Sequence, residues 1–232
     1  MMPIRAERPE NGNTACLWSG PSRLDRSKTV ALLLSGLSSG STNGKTGAML
    51  QAHIVQLDDH PSEDRSGICG GCPLLSRCYL EWSKAPAGVR RSLLAGRVGY
   101  LSPVLAGELA AARDCGVRLG ASGDPAAIPV HVWRQLLAGG AWHTGYTHQW
   151  RRLSASVWGF LMASVETDAA RDKAEAAGWS TFRVGDQDGD PGSGESWCPA
   201  SAERDRAATC SECRRCDGAS GSVFIREHGH GR

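Results

Sequence analysis

The feature that most constrains the fold is a regular alternation of strand-like and helix-like segments between residues 117 and 184. Strand patterns occur at 117–120, 142–147, 159–163 and 179–184, and helical patterns lie between them. Strands that are joined by helices run parallel, with right-handed crossovers. We therefore expect an α/β fold in which parallel βα units form a partial or distorted TIM-like barrel, with cysteine-rich metal-binding loops.

Other elements are predicted on either side of this region. Pro at a first turn, a polar cap and a following Gly are typical helix boundaries, and Thr167 before Asp168 and Gly178 is one example. Further strands are predicted at 50–54 and 223–225, and further helices at 87–95 and 102–115.

Composition sets the domain organisation. A chain of 232 residues with 41% hydrophobic residues can bury one sizeable core. Residues 1–27 are rich in Arg, Glu, Pro, Asn and Ser without periodicity, which predicts a disordered N-terminal arm. Residues 28–232 are then expected to form a single α/β domain that includes the cysteine-rich segments 69–78 and 198–216.

Charge and hydropathy limit the partners. With 26 basic against 24 acidic residues, the net charge of +2 produces no field that would by itself recruit nucleic acid or a membrane. The longest apolar run, Val30–Leu34, is too short for a bilayer span. We expect a soluble, cytoplasmic protein with no membrane partner, acting on a small molecule or a nucleic acid.

Seven of the nine cysteines fall into two clusters whose spacing is typical of thiolate metal sites. The first cluster comprises Cys69, Cys72 and Cys78, and the second comprises Cys198, Cys210, Cys213 and Cys216. The compact C-x2-C-x2-C run of the second cluster and the Cys198-Pro199 pair favour a [4Fe–4S] cluster over zinc. One or two such clusters are expected. Cys16 is predicted to lie in a mobile tail and Cys115 to be a small, at least half-buried residue.

The first cluster has three cysteines, so its fourth ligand stays open. His53, His60, a cysteine of the second cluster, or no protein ligand are the alternatives. A site completed by His60 would be structural, whereas an open metal would accept a small molecule.

The carboxyl ends of the predicted strands supply the candidate site residues. They are Gly123, Asp124, Tyr146 and Ser164 for cofactor binding, and Asp124 and His148 for catalysis. Asp124 before Pro125 is equally typical of an N-cap. Packing at an interface is the alternative role for His148 and Tyr146, and Glu166 is expected only to complement a helix N-terminus.

A glycine-rich segment from Gly36 to Thr46 ends in Gly-Lys-Thr, as phosphate-binding loops do. Ser39 stands where such a loop needs glycine, and the following residues alternate like a strand. The segment is therefore predicted to be a turn, in which 43–47 could contact a ligand.

Several longer strings resemble an uncharacterised family encoded on phages, plasmids and other mobile elements. They are Lys45-Thr46-Gly47 with Met49-Leu50-Gln51, Cys69-Gly-Gly-Cys72-Pro73 with Cys78-Tyr79, Arg118-Leu119-Gly120 with Gly123-Asp124-Pro125, Gly145 to Trp150, Met162-Ala163-Ser164, and Cys198-Pro199-Ala200 with the final C-x2-C-x2-C. The resemblance covers about 33–229 and implies no particular activity.

A looser resemblance is to phage proteins of the radical-SAM type, which hold a cluster with three cysteines and leave one iron for S-adenosylmethionine. It implies that the first cysteine cluster binds a catalytic [4Fe–4S] cluster and the second an auxiliary one. The radical-SAM pattern is C-x3-C-x2-C, whereas this chain has C-x2-C-x5-C. The competing interpretation is a non-enzymatic zinc protein, structural or associated with nucleic acid through arginine pairs such as Arg151-Arg152.

Overall fold

A computed structural model describes residues 12–40, 43–78 and 80–227, apart from the side chain of residue 77. The chain divides into two compact units, where sequence reasoning predicted a single domain. The described parts of unit 1 are 12–40, 48–70 and 80–142, and those of unit 2 are 43–47, 71–78 and 143–227. Both units contain strands and helices, so the α/β class is confirmed.

The described part of unit 1 contains five strands and four α-helices. They are β1 (Thr14–Pro21), β2 (Thr29–Ser35), β3 (Leu50–Gln56), α1 (Ser66–Cys69), α2 (Ala85–Leu94), β4 (Gly99–Tyr100), α3 (Pro103–Ala112), β5 (Val117–Ser122) and α4 (Val130–Ala138). The strand order is β4-β1-β2-β3-β5. The β1–β2 and β2–β3 pairs are antiparallel, and the β1–β4 and β3–β5 pairs are parallel.

The predicted disordered arm is wrong for residues 14–21, which form β1. Its backbone pairs with β2 from Thr14↔Ser35 to Pro21↔Thr29, so its polar composition does not prevent regular hydrogen bonding. Cys16 is correspondingly fully buried in an apolar cluster with Leu33 and Val55. Burial raises the pKa of the Cys16 thiol to about 11, so it is not a thiol of a mobile tail. The rest of the predicted arm that precedes residue 12 lies outside the described residues.

Unit 2 contains the later part of the predicted alternation, whose first strand and helix, β5 and α4, belong to unit 1. Its elements are β6 (His143–Thr147), α5 (Ala155–Trp158), β7 (Met162–Val165), α6 (Asp168–Ala176), β8 (Thr181–Gly185), β9 (Glu195–Trp197), α7 (Cys210–Cys213) and β10 (Ser222–Arg226). The strand order is β6-β7-β8-β10-β9, and each of these neighbouring pairs is parallel. Among these five strands no pairing joins β9 back to β6, so the sheet of unit 2 does not close into a barrel by itself.

Two predicted elements differ in position. The helix expected at 149–155 is a 3-10 turn, Trp150–Arg152, followed by α5, because Ser154 adopts an extended conformation between them. The strand expected at 159–163 begins later, at Met162, since the Leu161 amide donates to the Trp158 carbonyl and forms a turn after α5.

The core of unit 2 lies beneath β7, β8 and β10. Met162, Val223 and Ile225 are buried there, and Phe182 and Val184 pack against them. Among the described residues, no helix is long and apolar enough to cross a bilayer.

Candidate metal centre and the pocket beside His148

The four cysteines of the second cluster come together in unit 2. Cys198 and Cys216 are buried in the same apolar cluster as Met162, and Cys210 packs against it. Cys210 and Cys213 lie one turn apart in α7, and Cys216 follows that helix. Residues separated by up to 18 positions in the chain thus share one region of the fold.

α7 is positioned by two sets of contacts at its N-terminus. Thr209 and Glu212 form a capping box, in which the Thr209 side chain accepts from the Glu212 amide and the Glu212 carboxylate accepts from the Thr209 amide. The Cys210 amide donates to the Lys45 carbonyl at 3.0 Å, and the Ser211 amide donates to the Thr46 carbonyl at 3.1 Å. A segment far upstream in the sequence therefore fixes the first turn of the cysteine helix.

Gly47 allows this close approach. Its φ is +68°, and a Cβ built there would lie 2.1 Å from Ser211 Oγ and 3.1 Å from Thr209 Oγ1. A side chain at position 47 would therefore be strained and would collide with α7. Residues 43–47 form a turn that supports α7, and β3 follows this turn in the chain, as the alternation in the sequence predicts.

Electrostatic interactions connect all four thiols. Burial raises the pKa of Cys216 to about 12, and negative charge on Cys198, Cys210 or Cys213 would raise it further. The Tyr146 hydroxyl acts in the opposite direction through a hydrogen bond. All three partner thiols therefore lie within electrostatic range of Cys216.

Cys198 has a compensating cation. Burial raises its pKa, the nearby Lys45 ammonium lowers it, and Cys213 raises it. The turn that supports α7 thus also brings a positive charge to the cysteines. Burial thus favours the neutral thiols of Cys198 and Cys216, and a bound metal cation would stabilise the cysteines as thiolates.

The side chains are not arranged as a finished metal site. Throughout the part of the chain that the structure describes, no group of three or more His, Cys, Asp or Glu side chains has a geometry that could hold a metal ion. The cysteines are brought into one region, and ligation would require their side chains to reorient around the ion.

The first cysteine cluster is divided between the two units. Cys69 is the last residue of α1 and is buried in unit 1, whereas Cys72 and Cys78 belong to unit 2 and are half-buried. Both candidate histidine ligands have hydroxyl neighbours, since His53 Nδ1 lies 3.0 Å from Ser122 Oγ and His60 Nδ1 lies 2.7 Å from Ser62 Oγ.

Asp124 has a structural contact in unit 1. Its carboxylate accepts from the Ala126 amide at 2.9 Å and caps the 3-10 turn Pro125–Ala127, as the N-cap interpretation predicts. Gly123, at φ +76°, packs so closely that a Cβ would lie 2.9 Å from Ile54 Cβ. The backbone conformation and packing account for this Gly-Asp pair without a ligand.

Tyr146 and Ser164 lie within strands of unit 2, in β6 and β7 respectively. The Tyr146 ring packs against Phe182 with centroids 4.4 Å apart, and its hydroxyl contacts Cys216. Ser164 is buried within β7. Tyr146 therefore belongs to the surroundings of the cysteines.

His148 lies just past the end of β6, where it meets an acidic partner that sequence reasoning assigned elsewhere. His148 Nδ1 and Glu166 Oε1 are 3.3 Å apart, and both atoms are buried. Since β6 pairs with β7 through Thr147↔Ala163, residues that follow these strands become neighbours. The signal for this pair was present in the predicted order of adjacent parallel strands.

His148 also lines a cavity of about 160 Å³ together with Gly71, Gln149, Arg151 and Arg152. All five residues belong to unit 2. Arg151 and Arg152 are exposed, and Gln149 is buried.

Comparisons with protein-family models, with curated proteins and with solved structures find no match for this chain. The resemblances to a mobile-element family and to radical-SAM proteins therefore stay predictions.

Proposed function

We propose that unit 2 binds a metal centre through Cys198, Cys210, Cys213 and Cys216, with a [4Fe–4S] cluster as the leading occupant. The observation that carries the proposal is the convergence of three thiols on the buried fourth, Cys216. Four thiolates are the ligand set that iron–sulfur clusters and structural zinc sites take. Tyr146 and Lys45 would stabilise the thiolates by a hydrogen bond and by charge.

Zinc is the second candidate, and the position of α7 favours it. Cys210 and Cys213 lie at the two ends of a single helical turn and have the C-x2-C spacing of a zinc knuckle. Cys198 and Cys216 would then form the other pair of ligands. In that case the protein is a structural metal-binding protein without a redox centre.

The radical-SAM interpretation would add a second cluster at Cys69, Cys72 and Cys78, with S-adenosylmethionine bound at its open iron. Support for it is limited to the sequence resemblance. We therefore propose metal binding for the second cluster and leave the reaction, with Asp124 and His148 as catalytic residues, as a prediction.

The test is anaerobic purification followed by measurement of iron, sulfide and zinc per chain and of the visible spectrum. A [4Fe–4S] protein is brown, with iron and sulfide in equal amounts, and a zinc protein is colourless. We expect Cys216→Ala to reduce metal affinity by about tenfold or more, because it removes a ligand from the site.

The matched control is Cys115→Ala, which removes a buried cysteine outside both clusters. It should retain the wild-type metal content. Replacing Cys69, Cys72 and Cys78 together shows whether there are one or two sites, since a separate second site would lose only part of the metal. A wild-type protein with neither iron nor zinc, or a Cys216→Ala variant with unchanged metal, would refute the proposal.

A further inference from the structure

The cavity beside His148 has a positively charged lining that the metal proposal does not use. Two of its five lining residues are arginines, and none of the five carries a carboxylate. Glu166 contacts His148 but does not line the cavity. The local charge therefore favours an anion.

Arg151 is oriented before any ligand binds. Its guanidinium carbon lies 4.2 Å from the centroid of the Trp150 ring, and Trp150 is buried. Stacking on an aromatic face holds the guanidinium plane while its N–H groups remain directed outward from the edge of that plane. Binding an anion would thus cost little side-chain entropy at this position.

Arg152 comes from the same short turn. Its amide donates to the Gln149 carbonyl at 2.8 Å, and the Gln149 amide donates to Thr147 Oγ1 at 3.0 Å. The turn is thereby attached to the end of β6, and consecutive arginines are presented from a rigid base. Arginine forks match the paired oxygens of a phosphate group.

His148 adds a third polar group. Its Nδ1 lies 3.3 Å from the Glu166 carboxylate, and this contact fixes the orientation of the imidazole. Glu166 is thus a positioning residue for the imidazole.

We propose that this cavity binds the phosphate group of a small phosphorylated ligand, with Arg151 and Arg152 as the principal contacts and His148 as a supporting one. A cavity of about 160 Å³ has room for a phosphate group. Free phosphate and a nucleoside monophosphate share this chemistry, and the experiment distinguishes them.

The test uses the full chain as purified, with its metal, at constant ionic strength. Inorganic phosphate, adenosine 5′-monophosphate and adenosine are titrated by calorimetry. We expect saturable binding of phosphate and of the monophosphate but not of adenosine. The double variant Arg151→Gln/Arg152→Gln should bind at least about tenfold more weakly, since two charge-assisted contacts are lost.

The control variant is Arg91→Gln, which removes an exposed arginine of unit 1 that does not line the cavity. It should bind phosphate as the wild type does. If the double variant does not fold, the single variant Arg152→Gln, at an exposed position, is used in its place and should also bind phosphate more weakly than the wild type. Metal content is measured on the same samples, so that failure of the metal site and failure of the phosphate site are distinguished.

Stronger binding of the monophosphate than of phosphate would support the site and show that it recognises the phosphate group of a nucleotide. Equal binding of the two would support the site and show that only the phosphate group is recognised. The proposal is overturned if phosphate does not bind saturably. It is also overturned if the cavity variants bind as well as Arg91→Gln does.

Discussion

Single residues explain how unit 2 brings its cysteines together, and Gly47 is the clearest case. Its left-handed backbone and its contact with Ser211 allow the turn at 43–47 to hold α7. The Gly-Lys-Thr string suggested a phosphate loop, but its partner is a helix about 165 residues away in the sequence. Local pattern predicted the turn but not what the turn contacts.

We expect Gly47→Ala to destabilise unit 2 by about 1–3 kcal/mol, from backbone strain and the collision with Ser211. Metal retention should fall as well, because α7 would shift. Gly44→Ala is the control, since a Cβ there meets no atom within 4 Å. Urea unfolding and metal analysis of both variants test this, and equal stability of the two would contradict it.

A second prediction at this scale concerns His53 in unit 1. Burial, together with the charge of Arg118, lowers its pKa from 6.5 to about 4. Between these values the unfolded chain binds a proton that the folded chain does not, so stability increases with pH in this window and is lost as the pH falls. The contribution is about 3 kcal/mol at most.

We therefore expect the wild type to lose more stability than His53→Gln when the pH is lowered from 7 to 4.5. Urea unfolding of both proteins at several pH values gives the difference directly. A difference that does not change with pH would show that His53 does not titrate in this window.

At the scale of elements, the order of strands and helices in 117–184 was largely predictable, because each element there is marked by its own periodicity and caps. Ser102, Thr167 and Asp124 accept the N-cap hydrogen bonds that their positions predict. β1 was missed since its register depends on β2 and β4, which a local pattern does not reveal.

The link between β8 and β9 rests on a buried ion pair. Arg183 Nε donates to Glu195 Oε1 at 2.9 Å, and the Glu195 side chain is fully buried. The Arg183 guanidinium also lies 4.3 Å from the centroid of the Phe224 ring in β10. Because both partners are desolvated, removing Glu195 leaves the buried Arg183 guanidinium with only the exposed Asp168 carboxylate, 3.2 Å away, as its counterion.

We expect Glu195→Ala to destabilise unit 2 by about 3–5 kcal/mol. Asp172→Ala removes an exposed carboxylate that pairs with Arg171 and should cost about 1 kcal/mol or less. Chemical denaturation compares the two variants. If both variants lost a similar free energy of unfolding, the buried Glu195 pair would contribute no more to stability than the exposed Asp172 pair, which would contradict this prediction.

At the scale of the whole molecule, the division into two units was not predictable. Unit 2 draws on three separate stretches of the chain, and only contacts between distant residues define it. Sequence spacing identified the cysteine set, since ligand spacing is local. The role of the turn at 43–47 depends on tertiary contacts that spacing does not encode.

The bonds from Lys45 and Thr46 to α7 also affect how the chain reaches its native state. During synthesis the turn emerges about 165 residues before the helix that it must cap. Closing so long a loop costs entropy and slows folding relative to local contacts. The cysteine region is therefore expected to be among the last parts of the nascent chain to become ordered, and its thiols stay open to oxidation until then.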